Sequence, residues 1–146
     1  MNVLARLYDQ DYYAWTQENA RLLREGRVNE IDFEHLAEEV ESMGSSERSQ
    51  LQNRLRILLA HLLKWQYQPQ YRGRSWSATL KEQRLSIQML LSDNPSLKNQ
   101  EEDRIVKAYP LAVLTAIRET NLDEKTFPAE CSYSRAQIAD PEFYPD

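Results

Sequence analysis

Leu51, Leu55, Leu58, Leu62 and Trp65 recur at alternating spacings of four and three, and Leu59 and Leu63 widen the same face. This period predicts a strongly apolar helix over about 46–68, of the kind that forms the seam of a bundle. Pro69 ends it. Upstream, Tyr12, Trp15, Asn19, Leu22 and Leu23 predict a helix from about Asp9 to Arg24, with Gly26 as its stop. Asp32 then caps a second helix, with Glu34 at its positive end. Its buried stripe is expected to be Phe33, Leu36, Val40 and Met43, and Gly44, Ser45 and Ser46 are expected to break or kink it.

Downstream of a short loop holding Gly73, a fourth helix is expected over about 76–93, with Ser75 as its cap. Trp76, Leu80, Ile87 and Leu91 share one face, while Leu85 and Met89 lie opposite. A helix apolar on two sides is central, or it contributes to a subunit interface. Asn94, Pro95 and Ser96 make the next turn, and a fifth helix over about 97–121 carries Ile105, Tyr109, Ala112, Val113, Ala116 and Ile117, with Pro110 expected to kink it. The polar tail from about Asp123 is expected to drape over the bundle, with one short helix near 134–139.

The expected fold is therefore all-α: a single-domain bundle of about five helices, residues 1–146, with an irregular C-terminal tail. Three glycines and little β-branched clustering agree with this. No run approaches the roughly 18 apolar residues of a membrane span, and the N-terminus lacks a signal-peptide layout, so a soluble cytoplasmic protein is expected. The single cysteine, Cys131, excludes an internal disulfide framework. It reads as a semi-buried small hydrophobe, since no cation pattern adjoins it.

Charge is uneven along the chain. Residues 1–44 carry 4 basic against 10 acidic side chains, residues 45–92 carry 8 against 2, and residues 93–146 carry 6 against 11. A basic middle between acidic flanks fits internal complementarity, or a basic surface for phosphate or nucleic acid.

Polar groups enter the apolar stripes at a few positions. Arg84 falls inside the Trp76–Leu91 arc, and a buried guanidinium must snorkel or find a carboxylate. Glu39 and Glu119 are placed to answer it, and His61 flanks Leu58 and Trp65. A partly buried cluster of Glu39, His61, Arg84 and Glu119 is expected. It serves as a network fixing helix register, or as the catalytic candidates of an enzyme. His35, Glu39 and His61 are the candidate metal ligands, His35 and Glu39 sharing a helix face at i,i+4. No cofactor is implied. Lys64, Trp65, Tyr71, Arg72, Arg74 and Trp76 form a basic–aromatic stretch with the composition of a single-strand nucleic-acid platform, or of a helix connection whose aromatics tuck back under the bundle.

Several ordered motifs together are specific. They are Tyr8-Asp9 with Asp11-Tyr12 and Trp15, Leu22-Leu23-Arg24 with Gly26-Arg27, Leu36 to Glu41, Leu58 to Trp65, and Ser75-Trp76. Glu82-Gln83-Arg84, Asn94 to Leu97, Glu119-Thr120 and Phe127-Pro128 with Cys131 follow in turn. From about residue 8 to 145 the chain resembles the bacterial domain-of-unknown-function family twenty-nine. The resemblance implies an all-helical fold and carries over no catalytic residue, because no activity is attached to the family. Ser132 departs from it where proline is expected after the cysteine. Together these readings point first to a non-enzymatic helical interaction module with a protein partner or a second copy of itself. A metal-binding protein or enzyme at Glu39, His61 and Arg84 is the alternative, and nucleic-acid binding through the 64–76 stretch the second alternative.

Overall fold

A computed structural model describes residues 3–146 and is all-α, with no strand among them. The chain divides into two compact units, the first ending at Ser46 and the second comprising Glu47–Asp146.

In the first unit α1 (Val3–Gln10) packs against α2 (Tyr12–Arg24). The sequence reading of one helix from Asp9 is corrected here. Asp11 leaves helical geometry and its carboxylate accepts the Ala14 N–H at 3.1 Å, so it caps a new helix instead of continuing the old one. Gly26 stops α2 as expected, at φ +67°. The Gly26 and Arg27 N–H groups return to the Leu23 and Leu22 carbonyls, a Schellman closure that needs a left-handed residue. Leu4, Trp15, Leu22 and Ile31 form the small core of this unit, with Leu7, Tyr8 and Leu36 against it.

A helix of 35 residues, α3 (Phe33–Tyr67), then begins. Asp32 caps it, accepting the His35 N–H. Two expectations fail along it. It runs through Gly44, Ser45 and Ser46 unbroken. One helical glycine costs about 1 kcal/mol relative to alanine, too little to end a helix otherwise held by packing. Phe33, Val40 and Met43 are also exposed, Met43 at 68%. The face that packs in the first unit is Asp32, His35, Leu36 and Glu39. Phe33 and Val40 are rotated from it by about 100°, and Met43 lies a turn beyond.

The second unit holds the main core. Leu51, Leu55, Leu58, Leu59, Leu62 and Leu63 of α3 are all but fully buried. After a 3₁₀ turn at Pro69–Tyr71 comes α4 (Arg74–Asp93), capped by Gly73, so that Ser75 sits inside the first turn and not at its cap. A 3₁₀ segment, Pro95–Gln100, takes the place of the expected first turn of α5 (Glu101–Thr120). Pro110 lies within α5 on its solvent side. The carbonyl its missing N–H frees belongs to exposed Val106, where water can satisfy it. A 3₁₀ turn at Glu124–Thr126 and the short α6 (Arg135–Ala139) complete the chain. Ser134 and Gln137 close a reciprocal capping box on α6. The tail is more than a drape, because Phe127, Tyr133 and Ile138 are core residues.

Gly44→Ala is expected to raise the thermal midpoint through a gain of about 0.5–1 kcal/mol in helix stability. Nothing lies within 4 Å of where the new methyl would sit. A calorimetric midpoint that stays level or falls contradicts this account of α3.

Candidate functional site

Arg84 sits on the inward face of α4 and is only 6% exposed. Its partners are not carboxylates. Nε donates to the Ile138 carbonyl at 2.9 Å, and Nη2 donates to the carbonyls of Phe143 at 2.9 Å and Gln137 at 3.3 Å. The guanidinium also lies over the Tyr144 ring, 5.9 Å from its centroid. Nη1 is buried without an acceptor. Burial holds the Arg84 pKa below the usual arginine value, with Tyr144 and Asp140 opposing the shift. The expectation that acids from neighbouring helices neutralise Arg84 is therefore corrected. The last turn of α6 and the residues beyond it turn backbone oxygens inward, and a planar fork of donors matches several carbonyls at once.

The other members of the expected cluster are likewise engaged elsewhere. Glu119 pairs with Lys64 at 3.0 Å. The His61 Nδ1–H donates to the Ile57 carbonyl one turn back at 2.9 Å, and burial lowers the pKa of the ring. Glu39 belongs to the first unit, where it accepts from the Tyr8 hydroxyl and from that of Tyr12 at 2.6 Å. Those two bonds hold Glu39 below the usual carboxylate range, and the bond to Glu39 pushes Tyr8 up to about 12. Such a carboxylate stays ionised and is a poor base near neutral pH. The four residues thus have four separate sets of partners.

His35 completes the first-unit network. Its Nδ1 lies 2.7 Å from Asp32 Oδ2 and its ring stacks on Tyr8 at 4.1 Å. Asp32 also accepts the Trp15 indole N–H at 2.9 Å, and its own backbone N–H donates to Asn19 Oδ1 at 3.2 Å. Burial alone would raise the Asp32 pKa, but the bonds from Trp15 and His35 outweigh it and the net shift is downward. The same carboxylate raises the His35 pKa. Asp32, His35 and Glu39 are therefore spent on aromatic partners. Among the described residues no three His, Cys, Asp or Glu side chains gather in a way that could hold a metal ion.

Most of the basic–aromatic stretch is turned inward and used on the chain itself. Lys64 is buried, ion-paired to Glu119, and lies 4.8 Å over the Trp76 ring. Arg72 donates to the Trp65 carbonyl at 2.7 Å and to the Pro145 carbonyl at 3.4 Å. Trp65 packs on Tyr144 at 4.8 Å. Tyr71 and Arg74 remain outward. Cys131 is half-buried, and burial raises its thiol pKa, so the thiolate is scarce.

One cavity of about 610 Å³ stands out in the second unit. Leu55, Leu58, Ile87, Leu91, Ile105 and Ile138 give it an apolar floor, and Lys81, Arg84, Lys98 and Arg135 stand in its wall. Sequence reasoning missed it. The available signal was Lys81, Arg84, Gln88 and Ser92 recurring at helical spacing beside the apolar stripe of α4. Lys98 and Arg135 come from distant segments that only the fold brings there.

Two measurements bear on these networks. Arg84→Lys is expected to cost about 2–4 kcal/mol in urea unfolding, because an ammonium cannot span carbonyls that a planar fork reaches and charged hydrogen bonds are lost. A loss no larger than that of an exposed arginine speaks against the clamp. An imidazole NMR titration should place His35 above the ordinary value of 6.5 and His61 below it. A raised histidine gives stability that is complete below the unfolded pKa and lost as pH rises through the folded one. His35 therefore stabilises most on the acid side. A lowered histidine does the reverse, so protonating His61 destabilises. Shifts of the same sign in both rings contradict the assignments.

No helix among the described residues is long and apolar enough to cross a membrane. No curated protein and no solved structure gives a match. Residues 7–144 match the family described as Domain of unknown function DUF29. The match spans nearly the whole length, and the chain belongs to that family.

Proposed function

We propose that this chain is a non-catalytic helical module that acts by pairing the outer face of α5 with a second copy of itself. The observation that carries this is a second apolar stripe on a helix whose first stripe is already spent. Ile105, Tyr109, Ala112, Val113 and Ala116 are buried in the core. Val106, Pro110 and Leu114 recur every four residues on the other side, with Leu111 beside them, and Val106 and Leu114 are 68% and 55% exposed. A helix apolar on both faces is expected to be covered on both. Leu85 and Met89 repeat the pattern on α4, where they too are exposed.

Charge favours a second copy running antiparallel. The first turn of α5 holds Glu101, Glu102 and Asp103 and its last turn holds Arg118. Antiparallel pairing about Pro110 and Leu111 sets Asp103 of each copy beside Arg118 of the other, the self-complementary arrangement of a two-fold contact. The engaged states of Glu39, His61 and Glu119 favour this reading over an acid–base centre.

Light scattering on a sizing column tests it. The expected mass is twice 17.2 kDa for the wild type and 17.2 kDa for Leu114→Glu, with unchanged helical circular dichroism. A wild type that elutes as a monomer at every concentration removes the proposal.

A further inference from the structure

We infer that the cavity between α3, α4, α5 and α6 is a binding site for a small amphipathic anion, an aliphatic carboxylate with its chain on the apolar floor and its head among the cations. This does not rest on self-association, and it would hold for a monomer or a dimer. About 610 Å³ lies within the range of roughly 300–1,000 Å³ typical of small-molecule sites. The floor is made by Leu55, Leu58, Ile87, Leu91, Ile105 and Ile138.

The wall explains the sign of the head. Lys81, Arg84, Lys98 and Arg135 contribute four positive charges; Glu101, 3.8 Å from Arg135, is the one acidic residue among the described residues of the lining, and Asp140 also acts on Arg84. Neither Lys81 nor Lys98 forms an ion pair among the described residues. Lys81 and Arg84 are neighbours at i,i+3 on α4. Arg84 hydrogen-bonds to carbonyls, forms no ion pair among the described residues and retains a buried donor without an acceptor at the cavity edge. Positive charge over a low-dielectric floor concentrates anions. A neutral apolar ligand would use the floor and leave the wall unanswered, whereas an apolar cation would be repelled.

Calorimetric titration of the full chain with octanoate, octanol and octylammonium at low salt tests the assignment. Octanoate should bind one per chain, more weakly as salt rises, and about tenfold or more tighter than octanol, while octylammonium should not bind. Lys81→Glu with Lys98→Glu changes two exposed wall residues and should weaken octanoate by about tenfold or more. Gln88→Trp, which fills the mouth from another exposed wall position, should block it. Methyl NMR shifts should fall on Ile87, Ile105 and Ile138. Octanoate binding that is absent, matched by octylammonium, insensitive to both variants, or mapped to other methyls overturns the inference.

Discussion

A positive charge inside an apolar helix face has to be answered, and how Arg84 is answered organises the second unit. Its bonds go to main-chain oxygens at residues 137, 138 and 143. Those oxygens exist in the right places only when α6 has formed and the chain beyond it has turned back. Tail and helix therefore specify each other. The tail in turn brings Tyr144 onto Trp65 and the Pro145 carbonyl to Arg72, so that a second arginine repeats the device at the other end of the segment. Tyr109 donates to the Pro128 carbonyl at 2.7 Å and Tyr133 to Gln66 at 2.6 Å, extending the same use of polar tips on buried bodies.

The helices of this protein were legible because their signals are local and periodic. Leu51 to Trp65 could be assigned from spacing alone, and Gly26 from its position after a stripe. The burial of Arg84 was legible for the same reason, since its angle on α4 lies among Leu80, Ile87 and Leu91. Its partners were not. A carboxylate is visible in a sequence and a carbonyl is not, because every residue carries one. Reasoning from side chains alone assigns a buried cation to Glu39 or Glu119 by default. The tail's share in the core was hidden by a related route. Its composition is polar on average, yet Phe127, Tyr133 and Ile138, spaced too widely to form a stripe, each find the core.

In the first unit spacing alone misleads. Phe33, Val40 and Met43 have the spacing of a buried stripe, but they are exposed, and Leu36 is the one of that stripe packed against the small core. There the aromatics Tyr8, Tyr12 and Trp15 supply donors to Glu39 and Asp32. The residues that looked most like metal ligands are thus acceptors and stacking partners for phenol, indole and imidazole. Hydrogen bonding of this kind leaves no mark in residue spacing, because α1 and α2 come from a different stretch of chain.

The placement of the Arg84 acceptors so late in the chain bears on how the protein is made. A ribosome delivers α4 more than forty residues before the oxygens that satisfy it. Through that interval the guanidinium has no native acceptor, and the face of α4 that carries it is better left hydrated than packed. Vectorial synthesis can therefore complete the α1–α2 pair early, while the second unit closes only as its final residues emerge.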